Sequence, residues 1–384
     1  MIKQDIPKIR FYSYQGAWTE NRIADIVKIS AGGDVDKERL KESGKYPVIA
    51  NALTNKGIVG FYDDYKVKAP AVTVTGRGDV GYAVARHENF TPVVRLLTLQ
   101  SENIDVDYLE NQINSMRILN ESTGVPQLTA PQLGNYKVYH PEIEEQSAIG
   151  SFFRTLDDLL VSYKDNLANY QSLKETMISK MFPKAEQTVP EIRLDGFEGE
   201  WEVVNLGTLI ENYDEIISGV SGFPIATSSR KGLYLQNDYF EGGRTGIDLT
   251  LDFHRVPMGY VTYRHMSDDS IFKFNKNNFE TDVLVSKEYP VFMSNDSSNI
   301  DFILYHLNNS RLFLRFSTMQ KLGGTRVRLY YKNLITYKLA VPTIKEQQAI
   351  GSYFSNLDNL INSYQEKITQ LETLKKKLLQ DMFI

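Results

Sequence analysis

The sequence predicts an α+β chain in which two globular domains are joined by two long helices packed as an antiparallel coiled coil, with a pseudo-two-fold internal repeat. Three observations predict it. The decapeptide PEIEEQSAIG at 141–150 returns as PTIKEQQAIG at 342–351. Each copy opens a stripe of apolar residues at steps of three and four, the period of a helix face. At 384 residues and 42% hydrophobic composition, the chain is long enough for two or three domains of about 100 to 200 residues each.

Aligned at a fixed shift of 201, residues 141–182 and 342–383 share 18 identities in 42 positions, where composition alone gives roughly two or three. The first stripe runs Phe153, Leu156, Leu160, Tyr163, Leu167, Tyr170, Leu173, Met177, Met181, and the second Phe354, Leu357, Ile361, Tyr364, Ile368, Leu371, Leu374, Leu378, Met382. With no Pro and no Gly after the first turns, each helix can run for about 35 residues, roughly 50 Å. Stripes this long need a partner helix. Packing them on each other, antiparallel, is the economical arrangement.

A weaker repeat precedes each globular segment at a shift of 183: Pro7, Ile9, Arg10, Gly16 and Trp18 correspond to Pro190, Ile192, Arg193, Gly199 and Trp201, the only two tryptophans. Leu128, Leu133, Tyr136 and Lys137 correspond to Leu329, Leu334, Tyr337 and Lys338 at 201. The expected organisation is therefore a first domain over 1–140, a helical region over 141–183, a second domain over 184–341 and a second helical region over 342–384. Between the repeated frames the two domains share almost nothing recognisable. A copied scaffold carrying two unlike domains implies two different sites held by the same framework.

The absence of cysteine excludes disulfides and thiolate zinc sites. The first residues lack the apolar stretch of a signal peptide, and no run of about 18 apolar residues occurs; a soluble cytoplasmic protein, without a membrane partner, is expected. The net charge of −5 argues weakly against nucleic acid, yet Arg311, Arg315, Lys321, Arg326, Arg328, Lys332 and Lys338 lie in a stretch without one acidic residue. There is no GxxxxGK[ST], no HExxH and no [NDS]-P-P-[YFW], and the five histidines lack metal-ligand spacing. TGRGDVG at 75–81 matches GxGxxG, but YAVARHENF follows instead of the helix that would meet a pyrophosphate. A tight Gly turn between strands, presenting Arg77 outward, fits better.

With both repeats established, the chain resembles the specificity subunit of type I restriction-modification systems over its whole length. The resemblance is carried by PEIEEQSAI and PTIKEQQAI opening the helices, by GAW at 16–18 and GEW at 199–201, by TGRGDVG, and by SSRKGLYLQ at 228–236. It implies two target-recognition domains on double-stranded DNA, one half-site each, and a chain that is not itself an enzyme. It further implies two modification (methyltransferase) subunits and restriction subunits as partners. S-adenosylmethionine, ATP and magnesium would belong to those partners, with no cofactor on this chain. A coiled-coil adaptor joining two protein-binding domains is the reading from another class, and the specificity subunit of a related non-type-I restriction system is a closer alternative.

Base readout asks for Arg or Lys toward guanine and Asn or Gln toward adenine, whereas phosphate contacts ask only for charge and donors. In the first domain the candidates are Arg77, flanked by Lys66, Lys68, Arg86 and Arg95. In the second they are Ser228, Ser229, Arg230 and Lys231 ahead of Gly232, and the basic stretch with Lys321, Gly323, Gly324, Thr325, Arg326 and Arg328. Each is equally a solvated surface residue on sequence grounds alone.

Overall fold

A computed structural model describes residues 6–116, 118, 127–239, 248–321 and 326–384. Helices and strands are mixed, and the chain separates into two compact units, Met1–Asn166 with Tyr364–Ile384, and Leu167–Ser363. The division runs through both long helices.

Those helices span Ile143–Lys180 and Ile344–Asp381, 38 residues each. In the first unit they pair antiparallel: Lys375 bridges to Asp157, Lys164 reaches Glu372 at 2.6 Å, and the rings of Tyr163 and Tyr364 lie 5.4 Å apart. In the second unit Lys174 bridges to Asp358 and Phe182 stacks on Phe354 at 6.2 Å. The pair Asp157–Lys375 becomes Asp358–Lys174 under the shift of 201, and Phe153–Phe383, 5.7 Å apart, becomes Phe354–Phe182. Phe153 and Phe354 are fully buried, each contributing roughly 2 to 3 kcal/mol by area removed from water. Two members of the expected stripe depart from it. Leu173 and Leu374, which correspond at the shift of 201, are exposed, while the stripe is buried again at Met181 and Met382.

The two sequence repeats meet in one contact set. In the first unit the Arg10 guanidinium donates to both oxygens of Glu145, at 2.7 and 2.6 Å, and to the carbonyls of Gly16 and Gln15 at 2.5 and 3.1 Å. In the second, Arg193 donates to Glu346 at 2.7 Å twice, and to Gly199 and Glu198 at 2.6 and 2.9 Å. The hydrogen bonds to these carboxylates raise the pKa of both guanidiniums above the usual value. Backbone continues the match: Ile9 N donates to Asp381 O, and Ile192 N to Lys180 O, each where a long helix ends.

The neighbouring glutamine and glycine of the repeated decapeptide have equally definite tasks. Gln146 accepts from the backbone N of Asp105 at 3.1 Å, and Asp105 caps the helix Val106–Ser115 by accepting from Tyr108 N. Gln347 accepts from Asn299 N at 3.0 Å, and Asn299 caps the helix Ile300–Asn309. A side chain on Gly150 would collide with the Asp105 carboxylate and come within 2.8 Å of Tyr108 N, and one on Gly351 would come within 2.6 Å of the Asn299 amide oxygen. Only glycine lets the long helix approach the capped end this closely.

Between the frames the sequences diverge but one sheet does not. In the first unit a four-stranded antiparallel sheet runs Lys28–Ala31, Leu97–Gln100, Ala71–Val74, Ala83–Arg86, and in the second Ile210–Tyr213, Val291–Ser294, Val261–Tyr263, Phe274–Lys276. Both are ordered first, last, second, third along the chain. The sequence divergence between the frames thus stands beside a shared strand order. Packing needs apolar residues such as Val72, Val74, Leu97 and Leu99 in one and Val261, Tyr263, Phe274 and Phe292 in the other, and many sequences satisfy that. The second sheets do differ: Ile58–Tyr62, Tyr46–Ile49, Thr91–Pro92 against Ile216–Ser218, Asp252–Val256, Val283–Ser286.

Candidate nucleic-acid interface

In the first unit TGRGDVG forms the loop of a β-hairpin between Ala71–Val74 and Ala83–Arg86, not the start of a helix. Gly78 and Gly81 adopt φ of 78° and 88°, a region open to glycine at no steric cost. Thr75 closes the loop, its N donating to Tyr82 O at 3.0 Å and accepting through its hydroxyl from Tyr82 N at 3.0 Å. Arg77 is exposed in this loop, its backbone bridged to Gln127.

Asn51 ties that loop to a second one. Its amide oxygen accepts from Gly76 N at 2.7 Å, and its amide nitrogen donates to Val94 O at 2.9 Å. A side chain on Gly76 would strike the Arg95 carbonyl, so Arg77 and Arg95 issue from touching backbones. Arg95 has φ of 68° and is exposed. Lys66 joins the same loop cluster, its amine 3.6 Å from the side-chain position of Gly33, which bridges to Val93. Lys68 is exposed beside the end of Leu97–Gln100, its carbonyl accepting from Gln100. Arg86 is differently placed: its guanidinium donates to Thr73 Oγ1 at 2.9 Å and Lys56 O at 2.7 Å, and burial lowers its pKa to about 10. It is engaged within the fold.

In the second unit Ala226–Ser229 and Gly232–Leu235 form a hairpin with Arg230 and Lys231 at its tip. Ser228 is buried and accepts from Asn275 Nδ2 at 2.8 Å, and the Ser229 hydroxyl donates to Gly232 O at 3.0 Å. Both serines hold the hairpin together. Arg230 donates through Nη1 and Nη2 to the two oxygens of Asp269 at 2.8 and 2.5 Å, and Arg326 donates through Nε to Asp268 at 2.8 Å. Burial alone would raise the Asp269 carboxyl, but hydrogen bonds from Ser267, Arg230 and Ile271 outweigh it and hold the pKa below its usual value.

Ser228, Ser229, Arg230, Lys231, Asp268 and Arg326 surround a cavity of about 400 Å³ that Arg264 and Lys273 also line. Those two begin and end the loop between Val261–Tyr263 and Phe274–Lys276, the topological counterpart of the Arg77 loop. Sequence reading missed both, because RHMSDDSIFK shares no residue pattern with TGRGDVG; the shared signal is strand order, which appears only on folding. Arg328, in the short strand Val327–Arg328 paired with Met266–Ser267, is exposed nearby, and Lys321 follows the helix Arg311–Met319. Gly323, Gly324 and Thr325 lie outside the described residues. Arg77, Lys66, Lys68, Arg95, Lys231, Arg264 and Arg328 are in no ion pair among the described residues. Each unit thus presents loop-borne cations with donors available to phosphates or base edges. No group of residues suited to a metal ion occurs among the described residues, and no described helix is long and apolar enough to cross a membrane.

Comparison with known proteins places this architecture. A type I specificity subunit of Mycoplasma pneumoniae is 22% identical over 369 residues, covering 94% of each chain. The MjaVIII type I restriction enzyme specificity subunit of Methanocaldococcus jannaschii is 22% identical over 94% of this chain and 91% of its own. The crystal structure of a type I restriction-modification S subunit from M. genitalium superposes with a TM-score of 0.67 at 14% identity, over 99% of both chains, a likeness of fold. Residues 15–169 and 235–373 match the family described as type I restriction modification DNA specificity domain, and this chain, a DNA specificity subunit built from two such domains, belongs to that family.

Proposed function

We propose that this chain binds double-stranded DNA sequence-specifically and directs type I modification and restriction subunits to an asymmetric, bipartite target. Each recognition domain reads one half-site, and the paired long helices set the gap between them and dock the partners. The observation that carries this reading is the repeated frame: Arg10–Glu145 and Arg193–Glu346 are the same ion pair in two corresponding frames, while the loops they support present different cations. Like frames with unlike loops read unlike half-sites. At 1.5 Å per residue each 38-residue helix is roughly 57 Å long.

The chemistry is assigned to partner subunits. They would bring S-adenosylmethionine for adenine-N6 methylation and ATP with magnesium for translocation and cleavage, leaving this chain non-catalytic and cytoplasmic. Two modification subunits, one beside each domain, accord with the internal duplication. Leu159, Leu173, Leu360 and Leu374 remain exposed on the long helices at positions that correspond in pairs, surface that suits apolar helical partners. The loops around Arg77, Lys66 and Arg95, and those around Arg230, Lys231, Arg264, Arg326 and Arg328, are the assigned DNA contacts, with Lys68 and Lys321 beside them.

Co-expression with the modification subunit, followed by genome-wide mapping of N6-methyladenine, tests this. One asymmetric bipartite motif that disappears when this chain is omitted is expected. No new methylation from an assembled complex with an active methyltransferase would refute it.

A further inference from the structure

We infer that Arg326 is a base-reading residue of the second half-site, that Asp268 is its positioning residue, and that Arg230 does not read bases. The inference rests on the DNA-binding reading above and deepens it. Arg230 and Arg326 both line the same cavity, and sequence alone does not separate them. Their carboxylate partners do.

An arginine reads guanine by presenting two parallel donors to O6 and N7. The terminal fork of Arg230 is already spent, since Nη1 and Nη2 each donate to one oxygen of Asp269. Asp269 is itself fixed: Oδ1 accepts from the Ser267 hydroxyl at 2.8 Å and from Ile271 N at 3.1 Å. The next residue, Ser270, is buried with φ of 68°, and its carbonyl accepts from the fully buried Ser317 hydroxyl at 2.8 Å. A carboxylate anchored this way keeps Arg230 in a bidentate pair, and replacing it by a base edge would exchange one pair of bonds for another with little gain.

Arg326 is held from the opposite side. Asp268 takes only Nε, at 2.8 Å, and Nη1 and Nη2 have no partner among the described residues. The side chain is thereby restrained while its fork stays open, which lowers the conformational entropy lost when two donors engage a base. Both partners remain more than half exposed, so DNA can reach the fork without first breaking the ion pair. Arg264, close by on the equivalent of the Arg77 loop and in no ion pair among the described residues, has no such restraint.

The test uses the full chain in complex with its modification subunits. Fluorescence anisotropy compares a duplex carrying the mapped motif with duplexes altered one base pair at a time in the second half-site, over a range of salt. For Arg326→Ala, discrimination at one G·C pair should fall about 10- to 100-fold, with the other positions unchanged. Asp268→Asn should relax the same pair about 3- to 10-fold and strengthen binding to non-target DNA. Arg230→Ala should change the affinity for all duplexes alike, leaving every base preference within about twofold. The inference is overturned if Arg326→Ala weakens all duplexes equally with the salt slope reduced by about one, the mark of a phosphate contact. It is likewise overturned if Arg230→Ala relaxes a base pair, or if Asp268→Asn leaves the motif unaltered. If the unmodified complex fails to distinguish the duplexes at all, the DNA-binding reading itself falls. If it distinguishes them and only the variants disappoint, the failure belongs to this inference alone.

Discussion

Replacing Arg10 by alanine removes the clasp that joins the lead-in segment to the first long helix, and its cost follows from the contacts. Four hydrogen bonds disappear, two of them to Glu145, whose side chain is 2% exposed. The carboxylate left behind is buried without its partner, so the loss should be about 3 to 5 kcal/mol. Urea unfolding measures it, and the two tryptophans report locally: Trp18 packs on Tyr108 in the first unit, Trp201 on Phe182 and Phe302 in the second. In a Trp201→Phe background, with a slope of about 2 kcal/mol per M, Arg10→Ala should lower the midpoint by about 1.5 to 2.5 M. Adding Glu145→Ala removes the stranded charge, so the double variant should be no less stable than Arg10→Ala alone. A shift under about 0.5 M, or a double variant that is further destabilised, would show that the pair is an ordinary surface contact and refute the reasoning.

Gly150→Ala and Gly351→Ala each gain up to about 1 kcal/mol of helix propensity but place a methyl group against a capped helix end; net destabilisation of about 1 to 3 kcal/mol is expected from thermal melts. Glu110 lies where burial, with the Asp157 charge, raises its carboxyl pKa to about 7. Its folded value exceeds the unfolded one, so its stabilising contribution is complete below about pH 4 and is lost as pH rises through about 7. Glu110→Gln should therefore remove a fall of about 2 kcal/mol between pH 5 and pH 8, read by urea midpoints at both pH values. Four residues inserted after Leu167 and four after Ile368 lengthen both helices by about 6 Å, and the methylated motif should widen by about two base pairs with both half-sites unchanged; an unchanged gap in the mapped motif would exclude the helices as the ruler.

The two long helices were legible because helical periodicity is a local property, repeated here at a fixed shift, and Phe153 and Phe354 could be placed in a core before any coordinate was known. The sequence alone also separated frame from cargo and placed Arg77 on a Gly turn. It could not say why Glu145, Gln146 and Gly150 recur. Their partners Arg10, Asp105 and Tyr108 are distant in the chain, and two different shifts, 183 and 201, conceal one contact set. Nor could it show that the loop from Arg264 to Lys273 is the counterpart of TGRGDVG, since strand order survives exchange of nearly every side chain so long as the buried faces stay apolar. The state of each arginine was decided last of all by tertiary structure: Arg86 donates into its own domain, Arg230 is closed by Asp269, and Arg326 is held open by Asp268. A guanidinium's availability depends on which acceptors folding brings beside it, and residues 39 and 58 positions away, as here, leave no local trace.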